Sequence, residues 1–278
     1  MAIVVGDIHG NVEKVKAFLG YKPEEEHVCL GDIVDSEVEP PSRQIQCLKL
    51  LFDSDIVLLW GNHDIQYADF PYTYSCSGHI QGNPVPQMVR DNQQRFKAAH
   101  AIDGYILTHA GVCTQISQGG NDPIKLAENL NQRLLKKDTH EPVEYKPIGL
   151  CELLLAAEEE AKERRDPIFY VSKHRGGRED YGGIFWFDPF CEEGIDRNLR
   201  QVYGHCEIDT PPVLDEYGHI NLNYFGRDSC YLFDTKLSEV VKIGIKSMHI
   251  KKVKKLCDLQ VSRRLSGSYY KPDWKDRV

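Results

Sequence analysis

The sequence predicts a layered α/β fold. Three observations carry that prediction. Short apolar runs alternate with helically spaced segments through the first 60 or so residues, as strands and crossover helices do in a layered sheet. Each of those runs ends in glycine followed by a polar residue of ligand type. The last third breaks into short apolar stretches separated by turn residues, which predicts a second, largely antiparallel sheet.

In chain order, Ile3 to Val5 is an apolar run that ends in Gly6-Asp7 and reads as a buried strand. Val12, Val15, Phe18 and Leu19 follow at helical spacing. His27 to Leu30 is a second strand, ending in Gly31-Asp32. Ile45, Leu48, Leu51 and Phe52 mark the inward face of a helix. Ile56 to Trp60 is a third strand, ending in Gly61-Asn62. Tyr67 to Val89 is rich in Pro, Gly, Tyr and Ser and reads as a long loop. Tyr105 to Thr108 is a strand that delivers His109. Ile124 to Lys137 and Gly149 to Arg165 read as two helices of an inserted cap over residues 115–180. Gly182 to Phe187 is strand-like, and Gln201 to Tyr203 is a strand ending in Gly204-His205. Pro211 to Val241 supplies the second sheet. The domain then covers residues 1–245, with 246–278 as a tail.

Composition narrows the function. The chain has 278 residues, 41% apolar, with a formal charge of −8, so it has no general attraction for nucleic acid or anionic membrane. From Lys246 onward, ten Lys or Arg face three Asp or Glu. That basic tail is either a solvated end or a contact for a phosphate-rich partner such as nucleic acid. Nine cysteines, an odd number with no C-x-x-C spacing, predict reduced thiols rather than a disulfide framework or zinc ribbon. No run has the length of a membrane span. The N-terminus has no basic region or long apolar stretch, so no signal peptide and a cytoplasmic location are expected.

The strand ends carry the chemistry. They are Gly6-Asp7-Ile8-His9-Gly10, Gly31-Asp32-Ile33-Val34-Asp35, Gly61-Asn62-His63-Asp64, Thr108-His109-Ala110-Gly111 and Gly204-His205. Ligand sites in layered α/β sheets lie at the carboxyl ends of strands. Two divalent ions need a bridging carboxylate, for which Asp32 is suited, with terminal ligands on either side. Asp7 and His9 are two residues apart and share a side in extended backbone. Asn62, His109 and His205 supply neutral oxygen and nitrogen donors. Such mixed ligation suits Mn²⁺, taken first, and also Fe, Zn²⁺, Co²⁺ or Ni²⁺. His63 is spare, is placed to lean toward a leaving-group oxygen as general acid, and has Asp35 as a partner.

The blocks GDIHG, GDIVD and GNHD resemble the metallophosphoesterase (calcineurin-like) superfamily. Within it they are most similar to the serine/threonine phosphoprotein phosphatases and the symmetrical dinucleoside tetraphosphatases. The resemblance covers the first 65 residues and returns at THAG, at FWFDP and at VYGH. It implies a four-layer αββα sandwich of two mixed sheets around a dinuclear centre. By match, Asp7, His9 and Asp32 hold the first ion. Asp32, Asn62, His109 and His205 hold the second, and His63 with Asp35 forms the acid pair. The implied reaction is attack of a metal-bridging hydroxide on a phosphomonoester.

One departure stands out. The family writes Gly-Asp-x-Val-Asp-Arg-Gly, whose arginine grips phosphate, but here Ser36-Glu37 follows Asp35. Arg175 and Arg178, in a Gly-flexed basic loop, and Arg43 are the replacements offered by the sequence. The loss also opens a nucleotide reading, either dinucleoside polyphosphate or RNA phosphodiester. There Tyr67, Phe70, Tyr72 and Tyr74 would stack on a base or simply pack. A non-catalytic scaffold is the third reading, and it is weakened because every expected ligand is present. The substrate class is a phosphorylated protein, nucleotide or small molecule.

Overall fold

Strand β1 (Ala2–Val5) is buried at every position, as a strand covered on both faces must be. It lies at the centre of the first sheet, between β2 (Glu26–Cys29) and β9 (Ser229–Asp234), with β3 (Val57–Leu59) and β4 (Phe96–Lys97) beyond β2 and β10 (Glu239–Gly244) beyond β9. The computed structural model describes residues 1–68, 83–135, 166–226 and 228–245, all within the compact unit Met1–Ile245. Strands β2 (Glu26–Cys29), β3 (Val57–Leu59) and β4 (Phe96–Lys97) continue from β1 in parallel. The second sheet runs β5-β6-β7-β8, with β5 (His100–Ile102) antiparallel to β6 (Tyr105–Leu107). Strands β7 (Arg200–Tyr203) and β8 (His219–Asn221) follow in parallel.

Alternation along the strands sorts side chains into layers. Ala2, Val4, Val28 and Leu30 meet Tyr105, Leu107, Val202 and Ile220 in one apolar cluster between the sheets. Ile3, Val5 and Cys29 point the other way. They join Val12, Val15 and Phe18 of α1 (Val12–Gly20) and Leu48 and Leu51 of α2 (Pro41–Phe52). Each such buried aliphatic or aromatic side chain contributes about 1.5–3 kcal/mol. Helix α1 begins where Asn11 accepts the Lys14 backbone N–H at 3.0 Å, a side-chain N-cap. Helix α2 begins at Pro41, where a missing N–H costs nothing. The result is the four-layer α/β arrangement with two mixed sheets.

Several elements differ from expectation. The segment Pro211 to Val241 does not build the second sheet alone. Strand β8 joins that sheet in parallel, whereas β9 (Ser229–Asp234) and β10 (Glu239–Gly244) form a hairpin that extends the first sheet beside β1. Gly182 to Phe187 is a turn, closed by Trp186 and Phe187 N–H groups on the Gly183 carbonyl at 3.0 and 2.8 Å. Within the expected Tyr67 to Val89 loop, Val85–Asp91 is a helix, α4, following Pro84. The four-residue helix α3 (Asn62–Ile65) follows β3 directly, and α5 (Thr114–Ser117) follows β6. Of the expected insertion, α6 (Pro123–Leu135) buries Leu126, Ala127, Leu130 and Leu134 and packs on β5 and β6. Gly149 to Arg165, Phe70, Tyr72, Tyr74 and the basic tail lie outside the described residues.

Candidate metal centre

The carboxyl ends of β1, β2 and β3 in one sheet face those of β6 and β7 in the other. Backbone bonds sew the loops together. Ile8 and His9 N–H groups donate to the Asp32 carbonyl at 2.9 and 2.8 Å, and Gly204 N–H donates to the His109 carbonyl at 2.7 Å. Asp32 sits in the left-handed region at φ 49°, as do His9 at 43°, Asp35 at 58° and His205 at 64°. Non-glycine residues there are uncommon and concentrate at functional sites. The reading of Asp7 and His9 as an extended pair is thus corrected, because the chain turns at His9. Close approach demands glycine twice. A Cβ on Gly61 would strike the Asp32 amide and carboxylate, and one on Gly204 would strike the Asp7 carboxylate.

Two groups of ligand-type atoms form, sharing Asp32. Asp7, His9 and Asp32 make one, and Asp32, His109 and His205 the other, each with its ligand atoms within 4.8 Å of one another. Asn62 belongs to the second, since His109 Nε2 and His205 Nδ1 both lie 2.9 Å from its side-chain oxygen. His109 Nε2 is also 3.4 Å from Asp32 Oδ2, and His9 Nε2 is 3.6 Å from the same oxygen. The opposite nitrogens are tied back, as ligating histidines require. His9 Nδ1 donates to the Val34 carbonyl and His109 Nδ1 to that of Leu30, both at 2.9 Å. Asp7 Oδ2 is buried and has no hydrogen-bond partner among the described residues. A buried anionic oxygen without a partner is costly, and a cation resolves it. The donor set fits two divalent ions.

His63 follows Asn62 on α3, so the helical turn rather than a strand end aims it. Its backbone N–H donates to Asp32 Oδ1 at 2.9 Å, and its Nδ1 lies 3.5 Å from Asp35 Oδ2.

A family profile described as calcineurin-like phosphoesterase matches residues 2–234. The chain belongs to that family. This calcineurin-like phosphoesterase is also similar to a Caenorhabditis elegans protein named "Putative serine/threonine-protein phosphatase C27B7.6". They are 33% identical over 79 residues, 26% of this chain but only 17% of that protein's length. Among solved structures, a cold-active protein-tyrosine phosphatase from a psychrophilic Shewanella gives a TM-score of 0.55 at 13% identity. The alignment covers 88% of this chain and 80% of that one, which shows a shared fold. Members of the family act on phosphorylated substrates and use divalent metals. Among the described residues of this phosphoesterase, no helix is long and apolar enough to cross a membrane.

Electrostatics in the phosphoesterase site follow from burial and crowding. Burial alone would raise the Asp32 carboxyl, but His109, His63 and His9 together hold it well below the usual carboxylate range. Burial, with the Asp32 charge, pushes Asp7 up even though His109 and His9 oppose it. Burial would lower His63 and His109, yet Asp32 lifts both to about 9, helped by Asp35 at His63 and by Asp7 at His109. His205 is driven well below the usual imidazole range by burial, then by the charges of His109 and Arg175.

The arginines separate. Arg43 is paired with Glu13 and, at 2.7 Å, with Glu39 on the α2 side. Among the described residues, no contact brings it to the ligands. Arg175 is anchored beside them, with Nε 2.9 Å from Asp188 Oδ2 and Nη2 2.9 Å from Cys206 Sγ, next in the chain to His205. Arg178 is exposed on the same loop. Ser36 caps a turn, its Oγ accepting the Val38 and Glu39 N–H groups, and Glu37 is exposed.

Asp64 had no assigned role. It is fully buried, and its carboxylate accepts N–H groups from Ile33 at 2.9 Å, Val34 at 3.2 Å and Gly61 at 3.4 Å. Burial and Asp32 raise it to about 8. It ties the Asp32 loop to the Asn62 turn. Its place in the GNHD block was the only sequence signal. Tyr67, a candidate base stacker, instead is buried and puts its hydroxyl on Asp35 Oδ1 at 2.5 Å.

Proposed function

We propose that the chain is a phosphomonoesterase of phosphoprotein-phosphatase type working with two divalent ions, Mn²⁺ first among those the donors suit. The observation that carries this is the pair of ligand groups sharing Asp32, with the His63–Asp35 pair on the helix that delivers Asn62. Asp7, His9 and Asp32 would hold the first ion, and Asp32, Asn62, His109 and His205 the second. When bound, the ions neutralise phosphate charge and make water acidic enough to attack near neutral pH.

The chain's own residues do the rest. Arg175, fixed by Asp188, offers a guanidinium fork to a phosphoryl oxygen and replaces the arginine missing at Ser36. As the water oxygen bonds to phosphorus, the bond from phosphorus to the leaving oxygen breaks. His63 gives its ring proton to that oxygen and is left as neutral imidazole, while Asp35 fixes the ring's orientation. The products are inorganic phosphate and an alcohol.

The match to a protein named a serine/threonine-protein phosphatase supports a phosphoprotein substrate. The domain reading is one catalytic unit, 1–245, with an insertion at 115–180 and a basic segment at 246–278. Six unpaired cysteines among the described residues support a reducing, cytoplasmic setting. The test is activity of the Mn²⁺-loaded protein on a phosphopeptide, p-nitrophenyl phosphate, bis-p-nitrophenyl phosphate and diadenosine tetraphosphate. The two monoesters should be the better substrates. Preference for the bis-ester or the dinucleotide would overturn the monoesterase reading.

A further inference from the structure

The four-residue helix α3 delivers the ligand Asn62 and the acid His63 at its start. Just past its end, Gln66 and Tyr67 both turn onto Asp35. The Tyr67 hydroxyl donates to Asp35 Oδ1 at 2.5 Å, and the Gln66 side-chain amide donates to Asp35 Oδ2. The same Gln66 nitrogen reaches the His63 carbonyl at 2.9 Å. Asp35 N–H is held separately by Gln44 Oε1 at 3.0 Å. Tyr67 is 3% exposed, packed in the core, so its hydroxyl has little freedom.

These contacts bear on orientation. Asp35 stands at φ 58°, off the regular strand path, and its carboxylate meets His63 Nδ1 only at 3.5 Å. At that separation a small rotation of the carboxylate breaks or makes the contact. An aspartate that aims a catalytic imidazole must itself be aimed. Both of its oxygens are pinned from one side of the chain by residues contiguous with the acid itself. The acid, its partner and the partner's anchors are therefore linked to one another through α3 and the residues that follow it.

From this geometry we infer that Tyr67 and Gln66 are positioning residues for proton donation, holding Asp35 so that it aims His63 at the leaving oxygen. The inference rests on the reading of His63 as general acid. It makes a distinctive demand. Donation matters when the departing oxygen is strongly basic and matters little when it is not. A group that serves donation must therefore affect substrates according to their leaving groups, whereas a merely structural group affects all alike.

The experiment uses the full chain loaded with Mn²⁺ and two substrates. β-Glycerophosphate leaves as a strongly basic alkoxide, and p-nitrophenyl phosphate as a weakly basic phenolate. Tyr67→Phe keeps the buried ring and removes the hydroxyl. It should lower kcat on β-glycerophosphate on the order of ten-fold, the lower end for outer-shell partners, with KM and metal content unchanged and p-nitrophenyl phosphate turnover kept. Gln66→Met should act in the same direction and serves if Tyr67→Phe folds poorly. His63→Asn is the reference and should lose about 10² to 10⁴ on the alkyl substrate and far less on the aryl one. If His63→Asn discriminates between the substrates but Tyr67→Phe and Gln66→Met do not, the positioning role is overturned and the acid stands. If His63→Asn does not discriminate, the acid reading fails and the positioning role with it.

Discussion

The two sheets contribute to the centre in different ways. The first sheet supplies Asp7, His9, Asp32, Asn62 and His63 from three adjacent parallel strands, all within the first 63 residues. The second supplies His109 and His205 from neighbouring strands that are far apart in the chain, along with Arg175 from a turn held by Asp188. Short-range loops of the first kind are rigidified by one another. Ile33, Val34 and Gly61 share Asp64, and Ile8 and His9 share the Asp32 carbonyl. The second half meets that frame through the apolar cluster between the sheets and, at the centre, through His109 to the Leu30 carbonyl, His205 N–H to Asp7 Oδ1 and both imidazoles to Asn62 Oδ1. The lesson is a division of labour, in which one sheet builds a frame and the other closes it and brings Arg175, the proposed phosphate grip.

Asp32 is the residue both halves use. Asp32→Asn should remove both ions from the purified protein and abolish turnover, whereas His205→Asn should deplete only the second, as elemental analysis of the two variants will show. Next in size is the grip. Arg175→Ala removes a charged donor worth about 1.5–3 kcal/mol, so KM for a monoester should rise roughly 10- to 100-fold with metal content intact. Arg43→Ala, already committed to Glu13 and Glu39, should leave KM where it was. A steady-state comparison of the pair decides which arginine took over from the missing one.

The smallest effect is in pH. Without metal, His109 holds its proton up to about 9 because of Asp32 and Asp7, against the pull of burial. An imidazole must lose that proton to ligate. Affinity for the second ion should then rise with pH, by up to about ten-fold per unit below 9, and level off above. The metal-free protein should behave in the opposite sense. A raised histidine stabilises fully below its unfolded value of 6.5, and that gain is lost as pH climbs through about 9. Melting temperatures with and without Mn²⁺ across that window test both halves of the statement.

The legible parts of this molecule were those written as local pattern. Strand ends carrying ligand-type residues, most of them after glycine, named Asp7, His9, Asp32, Asn62, His109 and His205, and the structure gathers them. Runs of buried apolar residues named β1, β2 and β6. Other features were not local. Apolar alternation says that β9 is buried, but not that it crosses to lie beside β1 in the first sheet. Strands β4 and β5, of two and three residues, are too short to show a period. Whether Tyr67 stacks on a base or packs was open in the sequence because its partner Asp35 is 32 residues away. Asp188, within FWFDP, pairs with Arg175 13 residues earlier, a contact that no local pattern announces.

The place of β1 carries a consequence for synthesis. It precedes both of its neighbours in the chain, with β2 on one edge and β9, Ser229–Asp234, on the other. At about 5–20 residues per second, the ribosome takes on the order of 10 to 50 s to reach that closing strand. During that interval the nascent chain carries an apolar strand with one edge unpaired. Strands β1 to β3 leave the ribosome early, but the free edge of β1 is covered only when the β9–β10 hairpin emerges.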